Sequence, residues 1–243
     1  MKRTLIVMFA LVFIGSFAFA QDHESYIQQI GDGNTATVDQ GVGNNDNFDA
    51  YANVKQEGNN NVSILDQNGP QSFSHAVIEQ IGHYNSSDIS TSNGGGYALV
   101  YMQGNSNVLE LEQKGAFVAE RENWFNLHIE GNSNIIDAGQ ERTWANIELY
   151  GSGNDVDLTQ RAADVSNGHS TNIRAWGSNN TFDVVQFGEA GGTGGEGNIA
   201  NVTLYSESNW NTIDVTQNGS HLISITDIHG SGNTVNVTQM GAD

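Results

Sequence analysis

The chain has no cysteine, a single proline (Pro70), and only 8 Lys+Arg against 28 Asp+Glu among its 243 residues. Without cysteine there is no disulfide scaffold, no thiolate metal site and no cysteine nucleophile. A formal charge of −20 with so few cations offers nothing to a phosphate backbone, which excludes nucleic acid as a partner. Beyond the first twenty residues no apolar run is long enough to span a bilayer, so stable membrane insertion is not expected. Charged residues are 15% of the chain, and Asn and Gly, both poor in helix interiors, are abundant. A helical bundle is therefore not expected.

What the chain has instead is amide. Thirty Asn and fifteen Gln stand beside 29 Gly. The N-terminus is of a different character. Lys2 and Arg3 precede an apolar stretch from Leu5 to Phe17, and Ala18-Phe19-Ala20 fits the small-x-small rule for cleavage. Residues 1–20 are expected to be a signal peptide and 21–243 the mature, exported chain. Loss of two cations and no acids takes the mature charge to −22.

The mature chain repeats. The segment 29–40 reads Gln-x-Gly-x-x-Asn-x-Ala-x-Val-x-Gln. Its Asn recurs nine times, at Asn34, Asn61, Asn85, Asn107, Asn134, Asn154, Asn180, Asn211 and Asn233, spaced 20 to 31 residues apart. Six residues after each Asn stands a closing Gln: Gln40, Gln67, Gln113, Gln140, Gln160, Gln186, Gln217 and Gln239, with Thr91 in the third copy. The opening Gln is kept at Gln29, Gln56 and Gln80 and becomes Met102, Ile129, Leu149, Ala175, Ser206 and Ile228 in later copies. Apolar residues alternate on both sides of the Gly–Asn stretch, as in Ala52-Val54-Gln56 or Asn107-Leu109-Leu111-Gln113.

Alternation of period two predicts strands with one buried face, and Gly and Asn predict the turn between them. Each copy thus reads strand, arc, strand. One such unit cannot bury its apolar face alone, whereas stacked units can. The expected fold is all-β: a two-layered β-solenoid of about nine strand–arc–strand coils, roughly 40 Å long at about 4.8 Å per coil. Inward Asn and Gln would stack on their equivalents one coil away, each amide offering a donor and an acceptor. The ninth copy is out of step, because Leu222, Ile223, Ile225 and Ile228 do not share one phase, and a bulge is expected there.

Other motifs carry little chemistry. Gly192-x-Gly194-x-x-Gly197 matches a dinucleotide fingerprint by letter, but a strand pattern follows it where that motif needs a helix. The seven His have no zinc spacing, so neither a metal nor a cofactor is expected. Asp155 with Asp157, and Asp137 with Glu141, are the paired acids a polysaccharide-degrading β-helix would use, yet nothing separates them from the other acids. Trp124, Trp144, Trp176 and Trp210 flank the upstream arms and are expected over the coil edges, sugar stacking being the alternative. Thr159, Thr216 and Thr238 do not form the regular ranks of an ice-binding face. No catalytic residues are assigned, and the chain is not expected to be an enzyme.

The pattern at 29–40, continued to about 239, resembles the curlin repeats of curli amyloid fibre subunits. The resemblance implies secretion through a dedicated outer-membrane channel, assembly into cell-surface cross-β fibres with itself and other curlin-type subunits, and roles in adhesion and biofilm matrix. It further implies that terminal-repeat amides govern polymerisation, here Gln29, Asn34 and Gln40 at one end and Asn233 and Gln239 at the other. Three other readings stand beside it: a minor or nucleating subunit, a capped solenoid adhesin that does not polymerise, and a β-helix that binds or degrades polysaccharide.

Overall fold

The computed structural model describes residues 23–40, 50–58, 60–68, 74–82, 84–92, 96–104, 106–114, 123–131, 133–141, 143–150, 153–162, 170–176, 179–188, 198–204, 210–218, 222–228, 230 and 232–241. The expected signal peptide and the Gly192–Gly197 motif lie outside the described residues.

Among the described residues eighteen strands form nine coils. In chain order they pair as β1 (His23–Ile30) with β2 (Ala36–Asp39), β3 (Ala50–Glu57) with β4 (Ser63–Asn68), and β5 (Ser74–Ile81) with β6 (Ser87–Ser92). Next come β7 (Gly96–Gly104) with β8 (Leu109–Gln113), β9 (Asn123–Gly131) with β10 (Ile136–Glu141), and β11 (Thr143–Tyr150) with β12 (Val156–Ala162). The last are β13 (Ser170–Trp176) with β14 (Phe182–Gly188), β15 (Ile199–Leu204) with β16 (Ile213–Gln217), and β17 (Ile223–Ile228) with β18 (Val235–Gln239).

Odd-numbered strands make one nine-stranded parallel sheet and even-numbered strands make the other, each in sequential order. The fold is therefore the all-β, two-layered solenoid that the repeat frame predicts. No helix among the described residues is long and apolar enough to cross a membrane.

Alternation places one side chain in two between the sheets. Val54, Ile78, Val100, Leu127, Ile147, Ile173 and Val202 form one interior row, and Leu65, Ile89, Leu111, Ala138, Leu158, Val184 and Val215 face it. Burying each large aliphatic side chain contributes about 1.5–3 kcal/mol. The stack is tight at the arcs, and this is what their glycines serve. A Cβ on Gly82 would lie 1.5 Å from the Gly58 carbonyl oxygen, and one on Gly131 would lie 1.9 Å from that of Gly104. The repeated Gly thus follows from carbonyl-on-carbon contact between coils.

Two expectations need correction. The ninth coil has no bulge: β17 runs in unbroken register with β15, Ile199 opposite Ile223 through Leu204 opposite Ile228. Its phase is inverted in chemistry, not in geometry. Ser224, Thr226 and Ile228 take the inward positions, while Ile223 and Ile225 point outward and are exposed. The opening position of the eighth coil is also not Ser206, which lies outside the described residues. Leu204 stands there, opposite Ala175 and Ile228. From Leu204 to Asn211 there are two more residues than from Ala175 to Asn180, so the eighth arc carries an insertion that shifts the apparent frame.

Candidate functional site

The interior amides form hydrogen-bonded columns along the stack. The Asn column is continuous. The Nδ2 of Asn61 donates to Oδ1 of Asn34 (2.8 Å), Asn85 to Asn61 (2.7 Å), Asn107 to Asn85 (2.5 Å), and Asn134 to Asn107 (2.6 Å). Asn154 donates to Asn134, Asn180 to Asn154, Asn211 to Asn180, and Asn233 to Asn211. Every amide points its donor toward the N-terminal end, where Asn34 closes the column on the Gly31 carbonyl (2.6 Å). The column is thus polar: its C-terminal end terminates in an acceptor, Oδ1 of Asn233.

The opening Gln column occupies three coils. Gln56 donates to Gln29 (3.0 Å) and Gln80 to Gln56 (2.8 Å). Each also reaches across its arc to a backbone carbonyl, of Val62 and Ser86 respectively, so the amide links both strands of its coil. From Met102 onward this column is apolar, and no amide is needed to satisfy a neighbour.

The closing Gln column is interrupted. Gln40 donates to Gln67 (2.9 Å), and Gln140, Gln160 and Gln186 each donate to the Gln before, beginning at Gln113. Between these runs stands Thr91, in register with Gln67 and Gln113. Its hydroxyl is too short to bridge. Gln67 Nε2, Thr91 Oγ1 and Gln113 Nε2 are all buried without a hydrogen-bond partner. A second gap follows Gln186: its Oε1 and that of Gln217 are unpartnered, and Gln217 donates instead to the Ile223 carbonyl (3.1 Å). Gln239 stands in register with Gln217 at the open end.

The outer faces carry columns of their own. On the odd-strand sheet Tyr51, His75, Tyr97, Trp124 and Trp144 occupy one outward position in five successive coils. Trp124 stacks on Trp144 (centroids 5.4 Å, 9° between planes) and Tyr150 on Trp176 (4.3 Å, 8°). Trp210 lies outside the strands, beside Asn211, and is exposed, whereas Trp124, Trp144 and Trp176 lie on the sheet face and not over the coil edges. Their ring faces are turned to one another, which disfavours sugar stacking.

On the even-strand sheet Asp88, Glu110, Asp137, Asp157, Asp183 and Asp214 line up in six successive coils. Asp157, paired in sequence with Asp155, and Asp137, paired in sequence with Glu141, are both members of this column. Burial between neighbours, then the charges of Asp137 and Asp155, raise Asp157 above the ordinary carboxylate range. Asp183 is raised by burial and then by Asp157 and Asp214. The column had a signature: an acid three residues after the repeat Asn in six consecutive copies. Among the described residues no cluster of three or more His, Asp or Glu could hold a metal ion.

Fold and columns together define a parallel β-solenoid of polar, laddered repeats. No protein-family model matches the chain, and no curated protein or solved structure matches it significantly.

Proposed function

We propose that the protein is an exported, curli-like structural subunit that polymerises head to tail into cell-surface fibres for adhesion and biofilm matrix. The observation that carries this reading is the match between the even-strand edges of the two terminal coils, β18 and β2; on the odd-strand side Thr226 and Ile228 of one copy would meet Ile27 and Gln29 of the next. Among the described residues the edge strands are β1 and β2 at one end and β17 and β18 at the other. Such edges accept further strands. If a second copy continues the stack, Asn233 meets Asn34, Gln239 meets Gln40, and Val235 and Val237 meet Ala36 and Val38. The free acceptor of Asn233 receives the Asn34 donor, so the polarity of the column sets the direction of addition.

Exposed apolar groups also find partners in that register. Val235 and Val237 are 41% and 40% exposed although they occupy inward positions. Ile225, 58% exposed, would lie beside Tyr26 of the next copy, 66% exposed. The partners of this assembly are the chain itself and other curlin-type subunits, delivered by an outer-membrane channel.

Val237→Lys tests the junction. A cation at an exposed terminal position leaves the monomer folded but becomes buried and unpaired on addition of the next copy. Elongation followed by electron microscopy should fall by at least tenfold while circular dichroism stays unchanged. Fibres growing at the normal rate from this variant would contradict head-to-tail addition, and a native chain that stays monodisperse would identify a capped solenoid.

A further inference from the structure

Gly139 sits in the middle of β10, a central strand, at an outward position between Glu112 of β8 and Thr159 of β12. Glycine weakens a strand interior, and it commonly marks a place where something approaches the backbone closely. Nothing in the fold requires it here. Unlike Gly82 and Gly131, Gly139 has room for a side chain: an added Cβ would meet only the Leu111 carbonyl oxygen, at 4.0 Å, an ordinary contact. Its backbone is not in the left-handed region either.

At the missing side chain the sheet face has a notch of about 270 Å³. Glu112, Lys114, Asp137, Glu141, Thr159 and Arg161 surround it. Lys114 pairs with Glu112 (2.5 Å). Arg161 stands in register beside Glu141 but makes no ion pair with it.

The geometry points to a binding site for a neutral, hydroxyl-rich saccharide unit, seated on the Gly139 backbone. Glu112, Asp137 and Glu141 bring carboxylates and Lys114 and Arg161 bring cations to the one notch, so it offers both acceptors for hydroxyl protons and donors for hydroxyl oxygens. Each sugar hydroxyl is both donor and acceptor and uses both kinds of group. A neutral ligand also avoids the repulsion that a chain of charge −20 and the adjoining acid column would exert on an anion. The volume falls just below the roughly 300–1,000 Å³ of sites for drug-sized ligands, which suits one sugar ring. The notch lies on an open sheet face, so a polymer can cross it with one unit lodged inside. The site belongs to each subunit and does not depend on assembly.

The test is saturation-transfer NMR on the mature chain with D-glucose, D-galactose, D-mannose and N-acetylglucosamine, beside the variants Gly139→Val and Arg161→Gln. At least one sugar should bind the native chain. Gly139→Val should bind it at least tenfold more weakly while melting no lower than the native chain, because a β-branched residue replaces a strand glycine. Arg161→Gln, a surface change that leaves the core untouched, should weaken binding severalfold. No binding of any of the four sugars, or undiminished binding in either variant, overturns the assignment. Neither result bears on fibre formation, which is read separately by electron microscopy.

Discussion

At the scale of single residues, the molecule is governed by whether a polar group inside the stack finds its equivalent one coil away. Thr91 is where that condition fails, leaving amide nitrogens of Gln67 and Gln113 buried and unpartnered. A buried donor left unpaired costs about 1–3 kcal/mol. Both flanking glutamines present donors to this position, so Thr91→Gln supplies an Oε1 acceptor to one of them and should raise unfolding stability by at most about 1 kcal/mol, read as a higher denaturant midpoint with unchanged slope. Gly82→Ala tests the opposite limit. Its Cβ would collide with the Gly58 carbonyl, and the coils cannot separate without breaking the Asn column. Stability should fall by about 3 kcal/mol or more. The repeat Asn, the closing Gln and the Gly before the arc were legible because they recur at constant offsets. The eighth opening residue was not, because an insertion between Leu204 and Asn211 moves the frame without altering the register.

At the scale of elements, the two sheets differ in what they show to solvent. Strand phase alone assigns inward and outward faces, which is why the core rows could be read from alternation. The aromatic and acid columns depend on which outward residues become neighbours across coils. That follows only once loops of unequal length are set aside and the coils are aligned.

The acid column makes the even-strand sheet sensitive to pH. Asp157 and Asp183 hold protons more tightly folded than unfolded, so in the window above the ordinary aspartate value the folded state binds more protons. Stability from these groups therefore rises as pH falls into that window and is lost as pH climbs through their raised values. The denaturant midpoint should be higher at pH 5 than at pH 7. Asp157→Asn and Asp183→Asn should each raise the midpoint at pH 7 and flatten the difference. A midpoint lower at pH 5, with the variants unchanged, would show that the column exerts no such strain.

At the scale of the whole molecule, the solenoid is a rod whose β18 and β2 edges match, and a formal charge of −20 sets copies apart until it is screened. Thioflavin-monitored assembly should accelerate as pH is lowered from 8 to 4 or as divalent cations are added, since both reduce that repulsion. The β17 coil shows why the ends were only partly legible. Its inward Ser224 and Thr226 look like a lost repeat in sequence, yet its strands keep register, and of its outward isoleucines Ile225 lies where Tyr26 of a next copy would meet it while Ile223 falls opposite Glu24.

The central claim is that a fibre of this protein is a continued solenoid, each chain contributing all nine of its coils in series. Mass per unit length of single filaments measures this directly. Nine coils at about 4.8 Å predict one chain per about 43 Å of filament. One chain per about 4.8 Å, as in a flat in-register stack, or no filaments at all, would contradict it.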